Sequence, residues 1–157
     1  MSEIKRIELE DPYWISTESV KTAIVGKTIT AIRFNEDTLI IEFGDEYISL
    51  GVMGDCCSSS YFYDFYGVDK IIGKKVTGFS NIELDPTDLK AHDDDDDDVI
   101  KVYGYKITCE PNDDYFSTSA TAVFSFRNSS NGYYGGSLEN GVDYSETVPK
   151  IEKDTIL

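Results

Sequence analysis

Two spacings of apolar residues alternate along the chain. In "STESVKTAIV", Ser16 to Val25, Val20 and Ile24 stand four apart, Ser16 or Thr17 is placed to cap, and Glu18 suits a positive helix end. This predicts a short helix, closed by Gly26, which tolerates the left-handed conformation that ends many helices. The period then drops to two. "KTITAIRF", "LIIEF" and "GDEYISLGVM" are rich in threonine and β-branched residues and broken by turn residues such as "NEDT". They predict three strands joined as hairpins, with Leu39, Ile41 and Phe43 inward and Glu42 outward.

The same order begins again further on. "IVGKTITAI" at Ile24 to Ile32 is echoed by "IIGKKVTGF" at Ile71 to Phe79. Strand patterns follow in "KVTGFSNIEL", "VIKVYGYKITC" and "STSATAVFSFR", with Tyr103, Tyr105, Ile107 and Cys109 on one face and Ala122, Phe124 and Phe126 on one face. The fold expected is α+β and β-rich. Two α-β-β-β units, related by a pseudo-twofold, form antiparallel sheets with two short helices. The alternative is a plain β-rich domain with two incidental helices, because helix-Gly-Lys-strand junctions also recur by chance.

At 157 residues the chain has the size of a single domain, 1–157, able to bury a core without staples. Residues 142–157 read as a C-terminal tail. No run approaches the roughly 20 apolar residues of a membrane span, and the N-terminus lacks a secretory apolar region. With an odd count of three cysteines, a cytoplasmic location with free thiols is expected.

Charge changes this picture in one place. The net charge is −16, and half of it lies in "ELDPTDLKAHDDDDDD", residues 83–98. Like charges in such a run repel, so a mobile acidic loop inserted between strands is expected. An EF-hand begun at Asp93 would need Gly at its sixth position and Glu at its twelfth, where the chain has Asp98 and Gly104. Loose divalent-cation binding by Asp93–Asp98 is the most that run offers. No Lys/Arg cluster supplies the basic face that nucleic acid or anionic membranes require. Mimicry of DNA charge is the sharper reading of the acidity, but one block does not space carboxylates like phosphates.

Candidate chemistry sits in two segments, "GDCCSSSYFYDFYG" at Gly54 to Gly67 and "NSSNGYY" at Asn128 to Tyr134. If the two units are symmetric, both segments leave a third strand at equivalent places and lie side by side. A nucleophilic thiolate at Cys56 or Cys57 needs a cation or base, yet Asp55 is adjacent and the single histidine, His92, opens the aspartate run. A structural pair of thiols, one inward and one outward, is the preferred reading. A Cys₃His zinc set from Cys56, Cys57, Cys109 and His92 lacks the usual ligand spacing, and a Cys109 disulfide needs an oxidising medium. Strict alternation in "YFYDFY" sends Tyr61, Tyr63 and Phe65 one way and Phe62, Asp64 and Tyr66 the other. The outer tyrosines would serve as a paratope-like contact surface, or be buried by a second sheet or by the mate in a homodimer.

These two segments carry a resemblance. "GDCCS" followed by "SNGYY" resembles a family of small uncharacterised proteins of phages and prophages, over roughly Lys27 to Leu138. That family often has a histidine shortly before Asp-Cys-Cys and a glutamate just after. Here Val52 and Ser58 stand at those places, which argues against acid–base chemistry. The resemblance offers no established activity and implies only a context of managing the host; from the residues, no catalytic site, cofactor or metal is expected. The expected function is non-enzymatic binding of a host protein, in counter-defence, through Asp55, Cys56, Cys57, Ser58, Tyr61, Asn131, Gly132, Tyr133 and Tyr134. The rivals are a small-molecule, nucleotide-like binding site using Asp55 and Asn131, and a self-assembling structural component.

Overall fold

A computed structural model describes residues 3–10, 14–55, 58–84, 99–111, 119–130 and 135–157. Among the described residues there are two antiparallel-dominated sheets and two short helices. Helix α1 (Thr17–Ile24) is capped by Ser16, whose side chain accepts from the Ser19 N–H, and it buries Val20 and Ile24. Its end at Gly26 has φ +90°, and Gly73, closing α2 (Val68–Ile71), has φ +86°. Both conformations favour glycine for want of a Cβ.

The strands β2 (Ala31–Phe34), β3 (Thr38–Phe43) and β4 (Glu46–Gly54) form a meander. The outer edge of β4 carries β1 (Lys5–Arg6) in parallel, and then β9 (Gly136–Asn140) antiparallel. The second sheet contains β6 (Val76–Ile82), β7 (Val99–Cys109) and β8 (Ala120–Ser130) as another meander, with β5 (Ser59–Tyr66) on the outer edge of β8. Up to β9 the chain therefore crosses between sheets twice. It leaves β4 of the first sheet to enter β5 of the second, and leaves β8 of the second to enter β9 of the first.

The segment 142–157 adds a strand to each sheet. β10 (Lys150–Ile151) pairs with β2, and β11 (Thr155–Ile156) pairs with β5. Arg33, bridged to Glu42 at 3.0 Å, also donates to the Val148 carbonyl at 3.1 Å, which fastens this strap. Of the acidic loop expected at 83–98, residues 85–98 lie outside the described residues.

One core joins the two sheets. Phe34, Phe62, Phe65, Phe124 and Phe126 are fully buried, and Phe34 meets Phe65 edge-on with centroids 5.5 Å apart. Each such side chain contributes about 2–3 kcal/mol by burial, and well-oriented ring pairs add about 1 kcal/mol. Tyr105, Ile107 and Cys109 line the inner face of β7 as the alternation predicts, and Ile24, Ile29 and Ile32 are buried as are Ile71, Val76 and Phe79 of the echo. The echoes also touch. Gly26 N–H donates to Val76 O and Gly73 N–H to Ile29 O, while Ile29 N–H donates to Lys74 O and Val76 N–H to Lys27 O. Thr28 and Lys75, which hold the same place in the two echoes, form an antiparallel bridge.

The strict alternation expected across "YFYDFY" is corrected by a bulge. Phe62 opposes Phe126, but the next pair is Asp64 with Ser125, so Tyr63 is the extra residue. The bulge shifts the period by one and turns both Phe62 and Phe65 into the core. Tyr61, Asp64 and Tyr66 then share the outer face with Arg127, Ser125 and Val123, their partners on β8.

Candidate functional site

The ends of these two crossings lie side by side, fixed by pairings on both flanks. Gly54 opposes Gly136 in the β4–β9 ladder, and Ser59 opposes Ser129 in the β5–β8 ladder. Where the first crossing begins, the Asp55 N–H donates to the Gly135 carbonyl at 3.1 Å, and the Gly135 N–H donates to Asp55 Oδ2 at 3.3 Å. Such close approach requires small residues. A Cβ at Gly54 would lie 2.5 Å from Ser58 Oγ, and one at Gly136 would lie 3.0 Å from the Phe126 ring and collide with Ser60 Oγ.

The serines here are committed as donors. Ser58 Oγ donates to the Asp55 carbonyl at 2.6 Å, beside a second bond to that carbonyl from the Ser58 N–H. Ser60 Oγ donates to the Met53 carbonyl at 3.0 Å. Each hydroxyl oxygen keeps lone pairs, and the side chain of Asn128 fills them, its Nδ2 donating to Ser58 Oγ at 3.1 Å and to Ser60 Oγ at 2.9 Å. Because a serine hydroxyl has a single proton, this arrangement also fixes which end of the Asn128 amide is nitrogen. Asn128 is fully buried, and its Oδ1 has no hydrogen-bond partner among the described residues. From below, the Tyr103 hydroxyl accepts from the Gly136 N–H at 3.2 Å, and its ring stacks on Phe126 with centroids 4.6 Å apart. The result is a base of polar bonds where the first crossing begins and the second ends.

Asp55, Ser58 and Tyr61 belong to this region: Asp55 is exposed, and Ser58 and Tyr61 are half-buried. Cys56, Cys57, Asn131, Gly132, Tyr133 and Tyr134 lie outside the described residues, as does His92. Cys109 is a free thiol buried in the core, and burial, with Glu110 nearby, pushes it up to about 11. It is a packing residue rather than a nucleophile. No group of His, Cys, Asp and Glu that could hold a metal occurs among the described residues.

Reading the sequence misses Asn128, Ser60 and Tyr103. Asn128 carries a usable signal, since it continues the inward row Ala122, Phe124, Phe126, where a polar residue must find partners. Arg127 is missed for the opposite reason: an arginine on an outer row reads as solvated, yet it is 1% exposed.

The architecture thus defines a β-rich protein in which two sheets exchange strands through paired crossings. This chain belongs to the family described as Domain of unknown function (DUF7448), whose model matches residues 22–139, from within α1 to the end of β9. It is also similar to Uncharacterized protein L278 of Acanthamoeba polyphaga mimivirus, 31% identical over 125 residues, covering 76% of this chain and 87% of that protein. That relative is a viral protein. No solved structure matches. No helix of the described residues is long and apolar enough to cross a membrane.

Proposed function

We propose that this protein is a non-enzymatic, phage-type accessory protein that binds a host protein and so blunts a host defence, acting in the host cytoplasm. The surface is the pair of crossings, with Asp55, Cys56, Cys57, Ser58 and Tyr61 from the first and Asn131, Gly132, Tyr133 and Tyr134 from the second. The observation that carries this reading is the reciprocal bonding of Asp55 and Gly135 over the Asn128 clamp. It holds Asp55, which opens the first crossing, and Gly135, which closes the second, in fixed register, and a preorganised surface loses less entropy on binding. Tyrosines beside small polar residues give rigid contact area with adaptable hydrogen bonding. The viral relative supports the context.

We further infer that the two halves are α-β-β-β units related by a pseudo-twofold. The support is the matched exchange of hydrogen bonds between corresponding residues of the echoes, and the mirrored strand orders β4-β3-β2 and β8-β7-β6. In this arrangement β9 completes the first unit and β5 the second, so the crossings are equivalent. An experimental structure in which residues 17–54 fail to superpose on 68–130 by a rotation near 180° would remove this inference.

The functional reading is tested by affinity capture from host extract, followed by reconstitution with the purified partner. A single protein binding the wild type one-to-one, with Tyr61→Ala and Tyr133→Ala each weakening it at least about tenfold, is expected. Equal affinity of both variants would reject this surface.

A further inference from the structure

A second feature lies on the outer face of the second sheet, beside the paired crossings. Arg127 is 1% exposed, and its Nε, Nη1 and Nη2 have no hydrogen-bond partner among the described residues. A guanidinium stays charged at every relevant pH and presents five N–H donors in a planar fork, so burying it without an acceptor is strongly unfavourable. The ring of Tyr63 covers one side, with the guanidinium carbon 3.5 Å from the ring centroid. The bulge makes this contact possible, because it releases Tyr63 from the ladder between Phe62 and Asp64. A cation–π contact stabilises the charge through the face of the guanidinium and leaves its in-plane N–H groups unanswered.

Other groups on this face do not answer them. Asp64 is buried, and its Oδ1 accepts from Ser125 Oγ; no ion pair joins it to Arg127. Burial raises the Asp64 carboxyl above its ordinary range, while Ser125 and Arg127 act in the opposite direction. Tyr66 and Lys106 share the face at greater distance along the strands. The strand neighbours of Arg127 are Tyr61 on β5 and Val102 on β7. Tyr61 lines a cleft of about 340 Å³ with Glu36, Tyr63 and Leu157, and Val102 lines one of about 520 Å³ with Ile82, Glu83 and Gly104. Arg127 itself lines neither cleft; both flank it through these two strand neighbours.

The geometry points to an oxyanion-binding site at Arg127, taking a small molecule with one carboxylate or phosphate group that accepts two parallel N–H bonds from the guanidinium. The Arg127 nitrogens are closed from solvent beneath the Tyr63 ring, so the anion enters as that ring moves aside, and a small oxyanion is accepted where a nucleotide is too large. The site adjoins the protein-binding surface proposed above, with Tyr61 at the border of both, and its test needs no partner.

The experiment uses full-length protein at fixed ionic strength, titrated with acetate, inorganic phosphate or ATP. The Arg127 Nε–H resonance and the thermal midpoint are followed. Acetate or phosphate is expected to move that resonance saturably and to raise the midpoint by several degrees at high excess, because the ligand binds only the native state. The responding anion identifies the source chemistry, and ATP gives neither effect. Arg127→Met should show no anion response and, without anion, should melt at or above the wild-type temperature, since a buried unpaired charge has been removed. Arg127→Lys keeps the charge, loses the fork and should bind at least about tenfold more weakly. An Nε–H resonance indifferent to both anions overturns the proposal. So does an Arg127→Met protein that melts well below wild type or fails to fold in anion-free buffer, because the guanidinium is then satisfied within the chain.

Discussion

Asn128 gives a quantitative test of the clamp under the paired crossings. Its two N–H bonds to Ser58 and Ser60, at 3.1 and 2.9 Å, are part-buried and of ordinary length. Each such bond contributes about 1 kcal/mol net, so Asn128→Ala should cost about 2 kcal/mol, because the serines keep their carbonyl acceptors and lose only a donor to their lone pairs. Asn128→Asp keeps the shape and reverses the chemistry. The introduced carboxylate faces two oxygens whose protons are already given to Asp55 and Met53. With the further cost of an uncompensated buried charge, the loss at neutral pH should reach about 3–5 kcal/mol. Burial raises the folded pKa of this carboxyl above its unfolded value, so the folded state binds more protons between the two. Stability of the Asp variant therefore falls as pH rises through that window and recovers on acidification. Urea unfolding followed by circular dichroism at pH 4 and pH 7 reads both effects, about 2 kcal/mol corresponding to a midpoint shift of about 1 M. An Ala variant within 0.5 kcal/mol of wild type (about the limit of such measurements), or an Asp variant whose deficit ignores pH, would refute the clamp.

Three further outcomes are expected. Gly136→Ala should destabilise by about 1–3 kcal/mol through overpacking against Phe126, Met53 and Ser60, measured by the same unfolding curves. Cys109, with its thiol pushed up to about 11, should resist iodoacetamide at pH 8 in native protein and label in urea, as read by peptide mass spectrometry; rapid native labelling would contradict its burial. Asp64 has a folded pKa raised mainly by burial, so its ionisation removes stability as pH rises above the ordinary carboxylate range. Asp64→Asn should therefore gain relative to wild type between pH 4 and pH 7, and an unchanged difference across that range would count against it.

Much of this fold is legible in the residues because local and tertiary preferences agree. Ser16 caps α1, Gly26 and Gly73 end helical turns, and the period-two rows of β3, β7 and β8 face the core. Alternation fails at Tyr63, since a bulge depends on the partner strand and has no signature in "YFYDFY". The strands at 150–151 and 155–156 escape notice because two-residue pairs carry no periodicity and form only when the sheets offer them edges. The approach of Asp55 to Gly135 has no local signature in the sequence. The groups enforcing it, Asn128 and Tyr103, act through hydrogen bonds between residues far apart in the chain. Arg127 was least legible, because its burial is imposed from outside its own strand.

The exchange of strands between the sheets also bears on synthesis. A nascent chain that has emerged only as far as Ser130 has made β4 but not β9, the strand that takes Leu50 to Gly54. Until then that stretch offers open backbone groups to any neighbouring polypeptide, and a second nascent copy is the best-matched donor. Pausing of the ribosome shortly after β8 should therefore favour intertwined dimers, and rapid completion of the chain should favour monomers.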